Sequence, residues 1–160
     1  MLPARRNVSS TVIKRVAGDP RRVRIVVAED DAALREAIVD ALRVDGYDVI
    51  GVADGDELLR CVENAVPPIS LVLSDIHMPR MNGLDALAAT KALPDHVPVL
   101  LISGDRDPIT HEAALKLGAV GVLVKPFDGA DLRTAIAMLT QTPDGWTNAK
   151  KASFDFPKSG

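Results

Sequence analysis

The residue best placed for chemistry is Asp75, which follows the apolar run at 71–73 and precedes Pro79 and Asn82-Gly83. A short run of branched apolar residues bounded by turn-forming residues predicts a strand that is buried on both faces. In open parallel sheets, ligands bind at the carboxyl ends of the strands. A strand-end Asp also commonly caps the next loop or helix, so the rest of the chain must decide between these interpretations.

Polar side chains follow three other predicted strands as well. The first is followed by Glu29, Asp30 and Asp31, the fourth by Ser103 and the fifth by Lys125. The carboxyl ends of parallel strands meet at one edge of a sheet. We therefore expect these side chains to gather with Asp75 along that edge.

These residue types predict phosphoryl transfer assisted by a metal ion. Carboxylates from Glu29, Asp30 and Asp75 would repel one another, and an oxygen donor set suits Mg²⁺, or Mn²⁺ in its place, better than zinc. Asp30 would be the most direct side-chain ligand, with Glu29 touching metal-bound water. Asp75 would attack phosphorus and become an aspartyl phosphate, while Lys125 neutralises the phosphoryl oxygens and Ser103 donates to one of them.

Five strand–helix units are needed to position these residues. Apolar periodicity and turn residues predict strands at 23–28, 48–52, 69–75, 97–102 and 120–124, and helices at about 33–42, 57–65, 83–93, 108–117 and 129–140. This alternation predicts a doubly wound α/β fold, a five-stranded parallel sheet of flavodoxin-like order 2-1-3-4-5 between two helical layers.

Composition agrees with this fold. The chain has 160 residues, enough for one domain, and only 3% aromatic residues, so its core must be built from aliphatic side chains. The single Cys61 excludes an internal disulfide. Neither a secretory motif nor an apolar run long enough to cross a membrane is present, which predicts a soluble, cytoplasmic protein.

Charge is distributed unevenly along the chain. Residues 1–22 carry six basic side chains against Asp19, whereas the remainder is acidic enough to make the net charge −3. We predict a flexible basic extension at 1–21, a folded domain at 22–141 and a loose, flexible tail at 142–160. An acidic domain argues against direct DNA binding.

Four motifs in this order resemble the receiver domain of bacterial two-component response regulators. They are Val-Val-Ala-Glu-Asp-Asp at 26–31, Leu-Ser-Asp-Ile-His-Met-Pro-Arg-Met-Asn-Gly at 73–83, Leu-Ile-Ser-Gly at 101–104 and Val-Lys-Pro-Phe at 124–127. The resemblance covers residues 22–141. It implies that Asp75 is the phosphoacceptor, that Glu29 and Asp30 are the acidic pair, and that the backbone carbonyl of His77 completes the metal site.

The resemblance also assigns the remaining site residues. Ser103, with Gly104, and Lys125, with Pro126, would hold the phosphate and act as the switch, with a cis Lys125–Pro126 bond. Asp31 lies one place beyond the acidic pair, which favours a helix N-cap.

Three positions bear on how such a switch would behave. Val122 stands where many receivers have an aromatic residue, which puts the usual aromatic rotamer swing in doubt. His77 and Asp105 flank the path that water takes to the phosphate in this family, so we expect them to tune the lifetime of the phosphoryl group.

The resemblance implies a stand-alone signalling protein that accepts phosphate from a sensor histidine kinase or a histidine phosphotransfer protein. It would not be an enzyme beyond its own phosphorylation and dephosphorylation. Phosphorylation would switch the face of helix four, strand five and helix five, with dimerisation, kinase docking or relay as open outcomes. One alternative is a Mg²⁺-dependent phosphohydrolase, although such enzymes carry a second Asp where this chain has His77; another is a module that never binds phosphate.

Overall fold

The computed structural model describes residues 23–94, 97–104, 108–140 and 152–154. The strands in these residues are β1 (Arg24–Ala28), β2 (Asp48–Val52), β3 (Leu71–Asp75), β4 (Val99–Ser103), β5 (Gly121–Val124) and β6 (Ala152–Phe154). The helices are α1 (Ala32–Val44), α2 (Gly55–Asn64), α3 (Gly83–Lys91), α4 (Pro108–Lys116) and α5 (Gly129–Thr140). The five predicted strand–helix units are confirmed, with ends shifted by two residues at most.

The strands form one parallel sheet in the order β2-β1-β3-β4-β5-β6. The predicted order of the first five strands is therefore confirmed, and β1 and β3 are neighbours, with Ala28 opposite Ser74. That pairing places the end of β1 beside the end of β3. Residues from the two strand ends can therefore meet.

The sequence pattern does not predict β6, which lies in the segment expected to be a loose tail. Residues 152–154 pair with β5 in parallel, with Val122 opposite Ser153. An edge strand offers unpaired backbone N–H and C=O groups to any extended segment. Three residues are too few to show a periodic pattern, so the sequence carries no signal for this strand. Residues 1–21 and the rest of the tail lie outside the described ranges.

Each face of the sheet has its own hydrophobic cluster, because side chains alternate along a strand. Ile25 and Val27 of β1 join a cluster with α1 and α5, whereas Val26 and Ala28 join one with α2, α3 and α4. Leu73 is fully buried in the first cluster. This arrangement confirms the predicted three-layer architecture.

Local sequence explains where α1 begins and ends. The Oδ1 atom of Asp31 accepts hydrogen bonds from the N–H groups of Ala33 and Leu34, which confirms the predicted N-cap. Beyond the last turn, Gly46 has a φ of 92°, a left-handed conformation that glycine adopts without strain. Among the described residues, no helix combines the length and apolar character needed to cross a membrane.

Candidate functional site

Asp75 is the last residue of β3, the strand between β1 and β4, and only 4% of its surface is exposed. Its Oδ1 atom accepts a hydrogen bond from the N–H of His77 at 3.1 Å. Its Oδ2 atom lies 2.8 Å from Nζ of Lys125 and accepts a hydrogen bond from it. Both carboxylate oxygens are therefore held in a fixed orientation at the edge of the sheet.

Glu29 and Asp30 follow β1 directly and lie beside Asp75, as the sequence predicts. One carboxylate oxygen from each of the three residues lies within 4.8 Å of the other two. Glu29 is buried, and its Oε1 atom accepts a hydrogen bond from the N–H of Asp31. Asp30 is exposed to solvent. The cluster is therefore buried at Glu29 and Asp75 and open to solvent at Asp30.

Arg35 also contributes to the site, although it was not predicted from the sequence. Its guanidinium donates a hydrogen bond of 2.7 Å to the backbone carbonyl of Glu29, which fixes the chain at the end of β1. The only signal in the sequence is that Arg35 falls in the first turns of a predicted helix, and many such arginines simply face solvent.

Burial, together with a hydrogen bond shared with the Asp75 carboxyl, raises the pKa of Glu29 to about 7. Burial alone would lower the pKa of Lys125, but the hydrogen bonds and negative charges of Asp75 and Glu29 outweigh it, so that pKa is raised. The Lys125 ammonium therefore stays charged and is shared between the Asp75 and Glu29 carboxylates.

The donor set fits Mg²⁺. Three carboxylates concentrate negative charge, and within the described residues one ammonium, that of Lys125, contacts two of them, Asp75 at 2.8 Å and Glu29 at 3.4 Å. Hard oxygen ligands with one exposed member leave room for the waters that Mg²⁺ usually keeps. Glu29, Asp30 and Asp75 are the side chains that would hold the ion, and Mn²⁺ would be a substitute.

Ser103 and Lys125 lie at the ends of adjacent strands, as expected. Ser103 is fully buried, and its backbone carbonyl accepts a hydrogen bond of 2.7 Å from the N–H of Lys125. The Lys125–Pro126 bond is cis, as predicted. Gly104 is exposed next to this pair. A backbone hydrogen bond thus links Ser103, which is predicted to supply the hydroxyl, to Lys125, which is predicted to supply the ammonium.

The remaining predicted positions are Val122, His77 and Asp105, and the structure describes the first two. Val122 is fully buried in the cluster on the α2, α3 and α4 side, so an aliphatic side chain fills that position. His77 is exposed. Asp105 lies outside the described residues, and the predicted influence of His77 and Asp105 on phosphoryl lifetime stays a prediction.

A contact near the site between Asp54 and Arg80 was not predicted either. Asp54 is buried before α2, and its Oδ2 atom lies 3.1 Å from Nη1 of Arg80 in the loop after Asp75. The Oδ1 atom of Asp54 accepts from the N–H of Glu57, while Oε2 of Glu57 accepts from the N–H of Ala53. The Asp-x-x-Glu spacing at the start of α2 was visible in the sequence, whereas the contact with Arg80 was not.

The fold and the site define a class of protein. A sequence model of the response regulator receiver domain matches residues 25–137, and the chain belongs to this family. It is therefore the receiver domain of a two-component response regulator.

Individual relatives agree with that assignment. The chain is 39% identical over 126 residues to the transcriptional regulatory protein PdtaR of Mycobacterium tuberculosis, an alignment covering 76% of this chain and 58% of PdtaR. It is 34% identical over 130 residues to the regulatory protein VirG of Agrobacterium tumefaciens, covering 78% of this chain and 47% of VirG. The chain thus spans about half the length of these relatives.

A solved structure shares the fold over most of its length. The chemotaxis response regulator CheY4 of Vibrio cholerae superposes with a TM-score of 0.67 at 27% identity, covering 71% of this chain and 95% of CheY4. The CheX–CheY–BeF3–Mg complex of Borrelia burgdorferi gives a TM-score of 0.69 at 25% identity, covering 72% of this chain and 87% of the matched chain.

Proposed function

We propose that this chain is a phosphoacceptor whose Mg²⁺-dependent phosphorylation on Asp75 switches its binding to partners. The observation that carries the proposal is the carboxylate of Asp75, held by Lys125 and the N–H of His77 beside Glu29 and Asp30. The likeness to the CheX–CheY–BeF3–Mg complex of Borrelia burgdorferi supports it.

The chemical step is a transfer of a phosphoryl group to a carboxylate. An oxygen of Asp75 forms a bond to phosphorus while the bond from phosphorus to the donor atom breaks, and the departing group keeps that electron pair and takes up a proton. Bound Mg²⁺ would supply charge neutralisation for the phosphoryl oxygens and the carboxylates. The Lys125 ammonium, already at Asp75, is positioned to pair with the new phosphate.

The switch would pass from Ser103 and Lys125 into the rest of the domain. Ser103 ends β4, Lys125 follows β5 directly, and the N–H of Lys125 donates a hydrogen bond to the Ser103 carbonyl. A phosphate on Asp75 would give both side chains a new acceptor, and the loop after β4 would follow. The face of α4, β5 and α5 is the surface we expect to change.

The phosphate donor we propose is a sensor histidine kinase or a histidine phosphotransfer protein in the cytoplasm. The output is a change in partner affinity, a phosphorylation-dependent dimer or onward relay of the phosphate. The chain would act as an enzyme only on its own phosphoryl group. Because relatives extend well beyond the matched segment, these assignments concern this chain alone.

Beryllofluoride binding tests the proposal. Fluorine NMR of the protein with Mg²⁺ and beryllofluoride should show a bound signal that disappears when EDTA is added or when Asp75 is replaced in Asp75→Asn. A bound signal that persists in that variant would place the phosphate mimic elsewhere.

A further inference from the structure

The loop at 76–82, which joins β3 to α3, is closed tightly at its base. The N–H of Gly83 donates a hydrogen bond of 2.7 Å to the carbonyl of Ile76. A Cβ atom on Gly83 would collide with the backbone carbonyl of Asp75. His77, the second residue of the loop, donates a hydrogen bond from its N–H to the Asp75 carboxylate. This loop and Lys125 therefore each hold one oxygen of the Asp75 carboxylate.

The tip of the same loop has an unfavourable backbone conformation. Arg80 has a φ of 67°, in the left-handed region that non-glycine residues rarely adopt. Its neighbour Met81 lies close to Gly55 at the start of α2. A Cβ atom on Gly55 would collide with the Met81 carbonyl. A residue held in such a conformation needs surrounding contacts that fix it, and these conformations cluster at functional sites.

An ion pair supplies such a contact. Nη1 of Arg80 lies 3.1 Å from Oδ2 of Asp54, whose side chain is 8% exposed whereas that of Arg80 is 68% exposed. The other oxygen of Asp54 accepts a hydrogen bond from the N–H of Glu57 and so caps α2. Asp54 is thus a fixed point on a neighbouring element, and Arg80 ties the loop tip to it.

We propose that the Asp54–Arg80 ion pair positions the loop at 76–82, and through His77 the carboxylate of Asp75, for phosphoryl transfer. Asp54 and Arg80 are positioning residues, since neither touches Asp75. The proposal rests on the function proposed above for Asp75. Without the ion pair, the left-handed conformation of Arg80 loses its anchor, and the hydrogen bond from the His77 N–H becomes intermittent.

Two variants remove the ion pair without removing a second interaction. Arg80→Gly deletes the guanidinium but tolerates a φ of 67°. Asp54→Asn keeps an oxygen that can cap α2 and loses the negative charge. Arg80→Lys retains a charge as a rescue variant. The matched control is Arg133→Ala, which removes the ion pair at 2.8 Å between Arg133 and Asp45, a pair that is not part of the site.

Two measurements distinguish positioning from simple stabilisation. The first is amide hydrogen exchange at His77 and Gly83 in the metal-free protein. The second is the rate of phosphorylation by a small phosphodonor at saturating Mg²⁺, under conditions where urea titration shows every variant to be fully folded.

We expect Arg80→Gly and Asp54→Asn each to exchange both amides faster and to be phosphorylated about two- to fivefold more slowly than the wild type, the range expected for losing one partly exposed ion pair. The double variant should lose no more than either single variant, because both remove the same interaction. Arg80→Lys should recover part of the rate, and Arg133→Ala should match the wild type.

Exchange and phosphorylation rates that match the Arg133→Ala control in both variants would overturn the proposal and leave the ion pair a purely stabilising contact. If the wild type itself is not phosphorylated, the proposed function fails. The exchange rates would then still decide whether the ion pair positions the loop.

Discussion

At the scale of single residues, Lys125 is the cation that the structure places against the acidic cluster. Its ammonium lies 2.8 Å from Asp75 and 3.4 Å from Glu29, so it competes with a metal ion for the same carboxylates. We predict that Lys125→Ala binds Mg²⁺ more tightly, by about tenfold, yet is phosphorylated more slowly. Calorimetric titration measures the affinity. Lys116→Ala, which removes an exposed pair with Glu112, is the control, and unchanged or weaker Mg²⁺ binding in Lys125→Ala would contradict the prediction.

Glu29 makes the stability of the metal-free protein depend on pH. Its pKa rises from 4.5 to about 7 on folding, so the folded state holds the proton more tightly than the unfolded chain does. The resulting stabilisation is fully present below the unfolded pKa and is lost as pH rises through about 7. A shift of this size corresponds to about 3 kcal/mol.

Urea unfolding in EDTA between about pH 4 and 8 measures this effect. We expect the free energy of unfolding to fall with pH more steeply in the wild type than in Glu29→Gln, which cannot ionise. Identical pH dependence in the two proteins would show that Glu29 does not titrate in this range.

At the scale of elements, the junction between β3 and α3 depends on having no side chain at Gly83. Alanine is normally favoured over glycine inside a helix, but here its Cβ would collide with the Asp75 carbonyl. We predict that Gly83→Ala lowers the free energy of unfolding by about 1–3 kcal/mol. Gly129→Ala, at the start of α5 where nothing lies within 4 Å of the added atom, should be neutral or stabilising. Equal stabilities in urea would refute the expected collision.

The elements also show how far the sequence alone reaches. β2 and α5 have the predicted bounds, because local apolar patterns and turn residues specify them. The left-handed conformation of Arg80 was not predictable, since the Asp54 carboxylate that it contacts lies 26 positions away in the sequence. β6 was not predictable either, because its pairing with β5 is a property of the sheet edge rather than of the three residues themselves. The strand-end residues Asp75 and Lys125 were predictable because parallel topology alone brings them together.

At the scale of the whole molecule, Mg²⁺ binding should be coupled to folding. The carboxylates of Glu29, Asp30 and Asp75 come from two strands that are adjacent only in the folded sheet. A ligand that binds only the folded state stabilises it by about 2.7 kcal/mol at a concentration of 100 times its Kd. We therefore predict that Mg²⁺ raises the Tm of the wild type and has a much smaller effect on Asp30→Asn. Calorimetry measures the Tm of both proteins with and without Mg²⁺. An equal rise in both proteins would place the ion elsewhere.

The most direct test of the central claim is the intact mass of the protein after incubation with Mg²⁺ and a small phosphodonor. The wild type should gain about 80 Da, the mass of one phosphoryl group. It should gain nothing in a parallel incubation with EDTA in place of Mg²⁺. Asp75→Asn should gain nothing. An unmodified wild type, or an equal gain in Asp75→Asn, would contradict the assignment of Asp75 as the phosphoacceptor.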